Sequence, residues 1–197
     1  LSLARKGFDV TLFERDVPPP EGNAEEAFFS WQRRGAAQFR HPHAFLGLMC
    51  SVLGEKYPDL LDELLAAGAR KLTFEDMVPD HLRDQYQPEA GDEKLWMLLC
   101  RRATIETVLR HYVARESNLR IQSQTYVTDV LVEEGQSVQG EPTLTVTGLE
   151  LTDRHNQNAK STHSADVIVN ASGRADKFYQ WLQHMGAEII EQRDDAE

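Results

Sequence analysis

An acidic residue at the end of a short apolar segment is the first position with the chemistry of a ligand-binding group. Glu14 closes residues 8–16 (FDVTLFERD), whose β-branched and aromatic side chains predict a strand. Residues 1–7 (LSLARKG) before it predict the last turns of a helix that ends at glycine. This order is typical of the second half of a dinucleotide-binding βαβ unit, where the carboxylate accepts hydrogen bonds from the adenosine ribose hydroxyls. The alternative is a solvated glutamate at a strand end.

A second apolar segment, residues 166–174 (DVIVNASGR), runs into a turn of small residues. We predict a buried strand over residues 166–170. Ser172 and Gly173 follow it, and small residues allow a backbone to pass close to a bound cofactor. The alternative is a parallel strand with an ordinary tight turn after it.

Basic residues supply two further candidates. Arg102 opens a predicted helix over residues 102–115, where its guanidinium and the helix N-terminus could hold a pyrophosphate. The alternative is a surface arginine at a strand-to-helix corner. Residues 33–48 (RRGAAQFRHPHAFLGL) gather arginines, histidines and Gln38 in one loop. We interpret this loop as the lining of an anionic or polar pocket, and a structural hydrogen-bonded loop is the alternative.

Metal and thiol chemistry are disfavoured. His41 and His43 are two residues apart, but no second pair of ligands has metal-like spacing, so no metal site is predicted. Cys50 lies within an apolar helix pattern, which argues against a nucleophile paired with one of these histidines. The sequence identifies no catalytic residue.

Composition limits the class of protein. The chain has 197 residues and a net charge of −11, which disfavours nucleic acid and anionic membrane surfaces as partners. No stretch approaches the roughly 20 apolar residues of a transmembrane helix, and no secretory signal is recognisable. Two cysteines cannot form a disulfide framework. We therefore expect a cytoplasmic protein.

Periodicity predicts the remaining elements. An antiparallel pair is expected around the turn at residues 135–142, and residues 153–164 are expected to form a polar loop, as are most of residues 75–93. Asp59 is the predicted N-cap of one helix. The predicted helices are 44–55, 60–67, 102–115 and 178–185, and the predicted strands are 71–74, 118–122, 127–133, 143–152 and 166–170.

In their order and spacing, these segments resemble flavin-dependent monooxygenases and related FAD-dependent oxidoreductases with the glutathione-reductase-type dinucleotide fold. Residues 1–16 resemble the segment after the family's GxGxxG turn, and RRGAAQFRHPHAFL resembles its R-x-G-x-x-Q-x-R-H-x-H segment. CRRATIETVLRHYV resembles its R-x-x-L-E helix, with Thr104 and Ile105 where two leucines are usual. QTYVTDVLVE and ADVIVNASGRAD resemble the adenine-contacting strand and the alanine-glycine turn.

The resemblance implies an α/β fold, a partial Rossmann-like FAD/NAD(P)-binding domain with a parallel sheet and an inserted antiparallel β-meander. Residues 1–176 would form an incomplete FAD-binding domain, and residues 177–197 the start of a substrate domain or a frayed tail. The GxGxxG turn and the later Gly-Asp motif of the family are not in the sequence. We therefore expect this chain by itself to be a fragment that binds FAD weakly or not at all.

The resemblance also implies roles for individual residues and a reaction. FAD would be reduced by NAD(P)H, and oxygen would then serve to oxidise a small organic substrate. A flavin-dependent halogenase, a prenyl reductase, an NAD-binding Rossmann dehydrogenase and a non-catalytic remnant are alternatives. The implied cofactor contacts are Glu14 with Arg15 at the adenosine ribose, Arg102 at the pyrophosphate or ribityl side, Val127 at the adenine, Ser172 and Gly173 near the cofactor, and Gln38 with residues 41–43 near the flavin.

Overall fold

Short helices and strands are mixed along the chain, and the last four strands follow one another without a helix between them. The computed structural model describes residues 1–36, 38–136, 140, 142–173 and 177–187. Within these residues the elements are α1 (Ser2–Arg5), β1 (Val10–Phe13), α2 (Ala24–Ser30), β2 (Pro42–Phe45), α3 (Gly47–Lys56), α4 (Pro58–Ala66), β3 (Arg70–Thr73), α5 (Phe74–Met77), α6 (Asp80–Arg83), β4 (Trp96–Arg101), α7 (Arg102–Val113), β5 (Leu119–Gln122), β6 (Thr125–Gln136), β7 (Pro142–Asp153), β8 (Ala159–Ser164) and α8 (Phe178–His184).

The described chain divides into two compact units. The first contains Leu1–Leu12 and Asp16–Gln122, and the second contains Phe13–Arg15 and the described residues from Ser123 onward. In the first unit, β1 and β5 form the parallel part of the fold. Parallel strands need a long crossover between them, and the helices between these two strands supply it. The expected α/β class with a parallel sheet is confirmed.

A three-stranded antiparallel sheet, β2-β4-β3, carries the main core of the first unit. Leu98 at the middle of β4 is completely buried, and Leu64 of α4 and Ile105 of α7 pack in the same apolar cluster. Burying a leucine of this size contributes about 2 kcal/mol. This core holds the N-terminal end of α7 in a fixed place.

The second unit contains the predicted meander. β6, β7 and β8 form an antiparallel sheet in chain order, so the inserted β-meander is confirmed. Val130, Leu149 and Leu151 are its buried centre, and side chains of α8 pack against them. The alternation of apolar and polar residues in β7 places these leucines on one face.

Four local predictions are wrong. The polar loop expected at residues 153–164 contains β8, which sequence patterns miss because its side chains are mostly exposed and its ladder is made by the backbone. Residues 166–170 form no strand. The helix predicted over residues 44–55 is preceded by β2, because pairing with β4 overrides the local helical pattern. Tyr57, not Asp59, is the N-cap of α4, with Pro58 in its first turn.

None of the helices in the described ranges is both long and apolar enough to cross a membrane.

Candidate functional site

The N-terminus of α7 is one candidate anion-binding position. β4 leads directly into this helix, and no side chain caps its first turn, which also contains no acidic residue. The Arg102 amide donates to the carbonyl of His41 at 3.3 Å. The partial positive charge of the helix end therefore lies beside the loop that carries His41.

A line of alternating charges extends from this helix end. Arg102 Nε donates to Glu106 Oε1 at 2.6 Å, and the other oxygen of Glu106 lies 3.2 Å from Arg33 Nη1. Arg33 Nε in turn lies 3.3 Å from Asp16 Oδ2. We call these four residues the charge ladder. Buried charges are stable only when paired, and here each carboxylate contacts a guanidinium.

Burial differs along the charge ladder. The side chains of Asp16, Arg33 and Glu106 are only 6%, 12% and 13% exposed, whereas that of Arg102 is 40% exposed. Glu106 therefore orients Arg102, which is the most exposed member of the charge ladder. Arg102 was predicted as a site residue, but the three that hold it were not.

Asp16 also fixes the basic loop of residues 31–41. Its Oδ2 accepts a hydrogen bond from the Gly35 amide at 2.9 Å, and Trp31 Nε1 donates to the carbonyl of Val17 at 3.0 Å. Asp16 and Val17, which lie just after β1, thus hold the loop at Gly35 and at Trp31.

A shallow recess of about 440 Å³ lies on this loop. Gln38 lines it in the left-handed backbone region, with φ of +61°, and its carbonyl accepts from the His41 amide at 2.9 Å. A non-glycine residue rarely adopts this conformation, so the turn at Gln38 is set by its surroundings. The structure therefore joins predicted residues Gln38 and Arg102 through the backbone of His41.

The predicted ribose-binding residue lies in the second unit. Glu14 directly follows β1, and its carbonyl accepts from the amide of Thr125 at 3.0 Å. Thr125 is buried and begins β6, the strand that contains Val127. The backbone of Glu14 is thus hydrogen-bonded to Thr125, which precedes Val127 by two residues in β6. The Arg15 side chain next to Glu14 is exposed. The roles of all three in cofactor binding stay predictions.

The small-residue turn is present, but no strand precedes it at residues 166–170. Ser172 donates through its amide and its hydroxyl to Asn170 Oδ1, at 3.1 and 2.6 Å. Gly173 follows with φ of +90°, which favours glycine because a Cβ would be strained there. Local turn chemistry therefore accounts for Ser172 and Gly173, and their proximity to a cofactor stays a prediction.

One of the missed residues had a signal in the sequence. Glu106 lies four residues after Arg102 on a helix, the spacing of an intrahelical ion pair. Asp16 and Arg33 belong to the segments 8–16 and 33–48 discussed above, but no sequence pattern indicates that their side chains form an ion pair. The fold brings Asp16 to Arg33, 17 positions later, and Arg33 to Glu106 of α7.

The histidines and cysteines show no arrangement for metal or thiolate chemistry in the ranges that the structure describes. No group of three or more metal-ligating side chains occurs there. Burial raises the pKa of both Cys50 and Cys100, which favours the neutral thiol. Cys50 Sγ donates to the carbonyl of Phe45 at 3.0 Å, as a structural thiol would.

Comparison with known proteins identifies related folds. Residues 7–193 match the model of a family described as FAD binding domain. The structure of PqsL from Pseudomonas aeruginosa, described as a probable FAD-dependent monooxygenase, is similar at 14% identity and a TM-score of 0.53, over 98% of this chain and 43% of that one. Its complex with 2-aminobenzoylacetate matches at 14% identity and a TM-score of 0.52, with the same coverage.

Thermovibrio ammonificans THI4 is 18% identical with a TM-score of 0.49, over 93% of this chain and 55% of that one. The chain therefore spans about half the length of the structures that it matches. No curated protein matches it.

Proposed function

This chain belongs to the family of FAD-binding domains, and from that membership we propose that its protein is an FAD-dependent monooxygenase. In this proposal the protein oxidises a small organic substrate with NAD(P)H as electron donor and oxygen as oxidant. FAD-binding domains of this family are typical of oxidoreductases, which supports the general class. The subclass is supported by the resemblance of residues 33–48 to the monooxygenase loop and by a shared fold with PqsL.

The observation that carries the proposal is the donor set at the start of α7. A pyrophosphate needs amide and guanidinium donors with no competing carboxylate in front of them. The first turn of α7 has no acidic residue of its own, and Glu25 beside it is paired with the N-cap residue Arg101 at 3.3 Å. Glu106 accepts a hydrogen bond from Arg102 while 40% of the arginine side chain stays exposed. These residues therefore fit the phosphates of FAD.

Other residues would complete the binding of the cofactor. Glu14 would accept hydrogen bonds from the adenosine ribose, with Arg15 beside it, and Val127 would meet the adenine through its backbone. Ser172 and Gly173 would pack near the cofactor, and Gln38 would lie near the flavin. When bound, FAD supplies the electron-transfer and oxygen chemistry, whereas the protein binds, orients and excludes water.

The test is FAD affinity in the intact protein. Arg102→Gln should raise the Kd of FAD about tenfold to a hundredfold, because a charge-assisted contact contributes about 1.5–3 kcal/mol. Quenching of flavin fluorescence on titration measures this. Arg120→Gln, at an exposed arginine of β5, is the matched control and should leave the Kd unchanged. An unchanged Kd in Arg102→Gln would show that the helix end does not hold the pyrophosphate.

The monooxygenase subclass needs a separate measurement. The loaded intact protein should consume oxygen and oxidise NAD(P)H in the presence of its substrate. FAD binding without oxygen consumption, across a panel of organic acids, phenols and amines, would favour a halogenase or a reductase of the same fold.

Glu14→Gln should also weaken FAD binding, since an amide accepts one of the two ribose hydrogen bonds poorly.

A further inference from the structure

Glu106 places a negative charge beside the arginine to which the proposed function assigns a pyrophosphate. Its side chain is only 13% exposed, and its Oε1 accepts a hydrogen bond from Arg102 Nε at 2.6 Å. A carboxylate beside an anion site ordinarily repels the anion, because like charges a few ångströms apart raise each other's energy. Any gain that Glu106 brings to anion binding must therefore come from its effect on Arg102.

The long side chain of Arg102 gains a fixed position from this contact. An arginine with 40% of its side chain exposed has many rotamers available, and a ligand that binds it must pay for their loss. The hydrogen bond to Glu106 spans one turn of α7 and holds Nε. Within the described residues, neither terminal nitrogen of Arg102 donates a hydrogen bond, so both are available to phosphate oxygens.

Arg33 limits how far Glu106 can neutralise Arg102. The second oxygen of Glu106 lies 3.2 Å from Arg33 Nη1, and Arg33 is itself held by Asp16 at 3.3 Å. One carboxylate therefore serves two guanidiniums. A carboxylate with both oxygens on Arg102 would form the two-pronged pair that competes directly with a phosphate. Because Glu106 is shared, its main effect on Arg102 is orientation.

We propose that Glu106 is a positioning residue that strengthens the binding of the cofactor's pyrophosphate, although its charge has the sign that opposes an anion. It acts through Arg102, whose Nε it holds while the terminal nitrogens stay available. Arg33 makes this possible by taking the second oxygen of the carboxylate. The role rests on the proposed function, which supplies the pyrophosphate. Its consequence is that loss of this negative charge weakens the binding of an anion.

The experiment titrates FAD into the intact protein and follows the quenching of flavin fluorescence. Glu106→Gln should raise the Kd of FAD about fivefold, because an amide has one oxygen and can accept from only one of the two arginines. Glu106→Asp keeps the charge but is one methylene shorter, so it cannot span both arginines and should raise the Kd about twofold or more. Charge alone predicts the opposite sign for Glu106→Gln and no change for Glu106→Asp.

A double-mutant cycle separates positioning from general damage to the fold. If Glu106 acts through Arg102, Glu106→Gln should change the Kd by less than about twofold in a protein that already carries Arg102→Gln. Glu63→Gln is the matched control, because it removes a carboxylate that is ion-paired with Arg115, just beyond the other end of α7. It should leave the Kd unchanged. Circular dichroism and chemical denaturation show that each variant is folded, and Glu106→Asp carries the same test where Glu106→Gln is unstable.

A Kd of FAD that falls or stays the same in Glu106→Gln overturns the inference. An equal rise in the Arg102→Gln background also overturns it, since Glu106 then acts by another route. Where Arg102→Gln raises the Kd and Glu106→Gln does not, only the positioning role is removed. Where neither variant changes the Kd, the pyrophosphate does not lie at the start of α7, and the placement in the proposed function falls as well.

Discussion

Residues 8–14 and residues 166–173 share a short apolar pattern but have different structures. Both contain a short apolar stretch that ends in polar residues, and both predict a strand. The first forms β1 and pairs with β5. The second forms no strand, and Val167 and Val169 are 75% and 70% exposed. Apolar composition therefore predicts a strand only where a neighbouring backbone is present to pair with it.

The first segment is anchored by residues far away in sequence. Asn118 Nδ2 donates to the carbonyls of Ala4 and Phe8, each at 2.8 Å, and its own carbonyl accepts from the Val10 amide. One residue thus connects the end of α1, the turn after it and the start of β1. The segment at residues 166–173 has instead the short-range turn between Asn170 and Ser172.

A second anchor holds α1. Arg5 donates to the hydroxyl of Tyr112 at 2.6 Å, and that hydroxyl donates to Asp59 at 2.6 Å. Arg5 also forms an ion pair with Glu116. Burial raises the pKa of Tyr112, so the phenol stays protonated and remains a donor. The element before β1 is therefore fixed by both α4 and α7.

The largest effect is expected from removing the Asn118 anchor. Asn118→Ala deletes two hydrogen bonds and should lower the free energy of unfolding by about 2 kcal/mol, at about 1 kcal/mol each. Chemical denaturation measures the change. Asn156→Ala, at an exposed turn, is the matched control and should stay within about 0.5 kcal/mol. Wild-type stability in Asn118→Ala would mean that β1 needs no side-chain anchor.

A pH dependence is expected from the second anchor. The hydroxyl of Tyr112 lowers the pKa of Asp59 in the folded chain, so the stabilisation by Asp59 is present above its unfolded pKa and is lost as the pH falls through the lower folded value. The free energy of unfolding should therefore decline below about pH 4. Asp59→Asn and Tyr112→Phe should both make this decline shallower. An identical acid dependence in all three proteins would contradict the coupling.

The smallest effect is expected in the unpaired segment. Val167→Thr should change the free energy of unfolding by less than about 0.5 kcal/mol, because the side chain is already exposed. Val10→Thr, in the paired strand, should cost about 1 kcal/mol, because a hydroxyl enters a half-buried position. A loss above about 1 kcal/mol in Val167→Thr would show that this segment is covered in solution.

Much of the candidate site followed from local patterns. The placement of Glu14 after β1, the start of α7 at Arg102 and the β6–β7 hairpin were all predicted, because each depends on periodicity or on residues that are close in sequence. β8 was not predicted, since its residues are polar and its pairing is made by the backbone. The exposure of Val167 could not be predicted, because composition does not report whether a partner strand is adjacent.

The sequence by itself determined the family and much of the order of the elements, and it supplied the candidate ligand-binding side chains, whose roles stay predictions. Tertiary structure decided how those side chains are held. Asp16, Arg33, Glu106 and Arg102 come from a strand end, a loop and a helix, and they form one ladder only because the core brings those elements together. Ion pairs act over a few ångströms in space and leave no periodic signal along the chain, so this arrangement had no pattern to predict it.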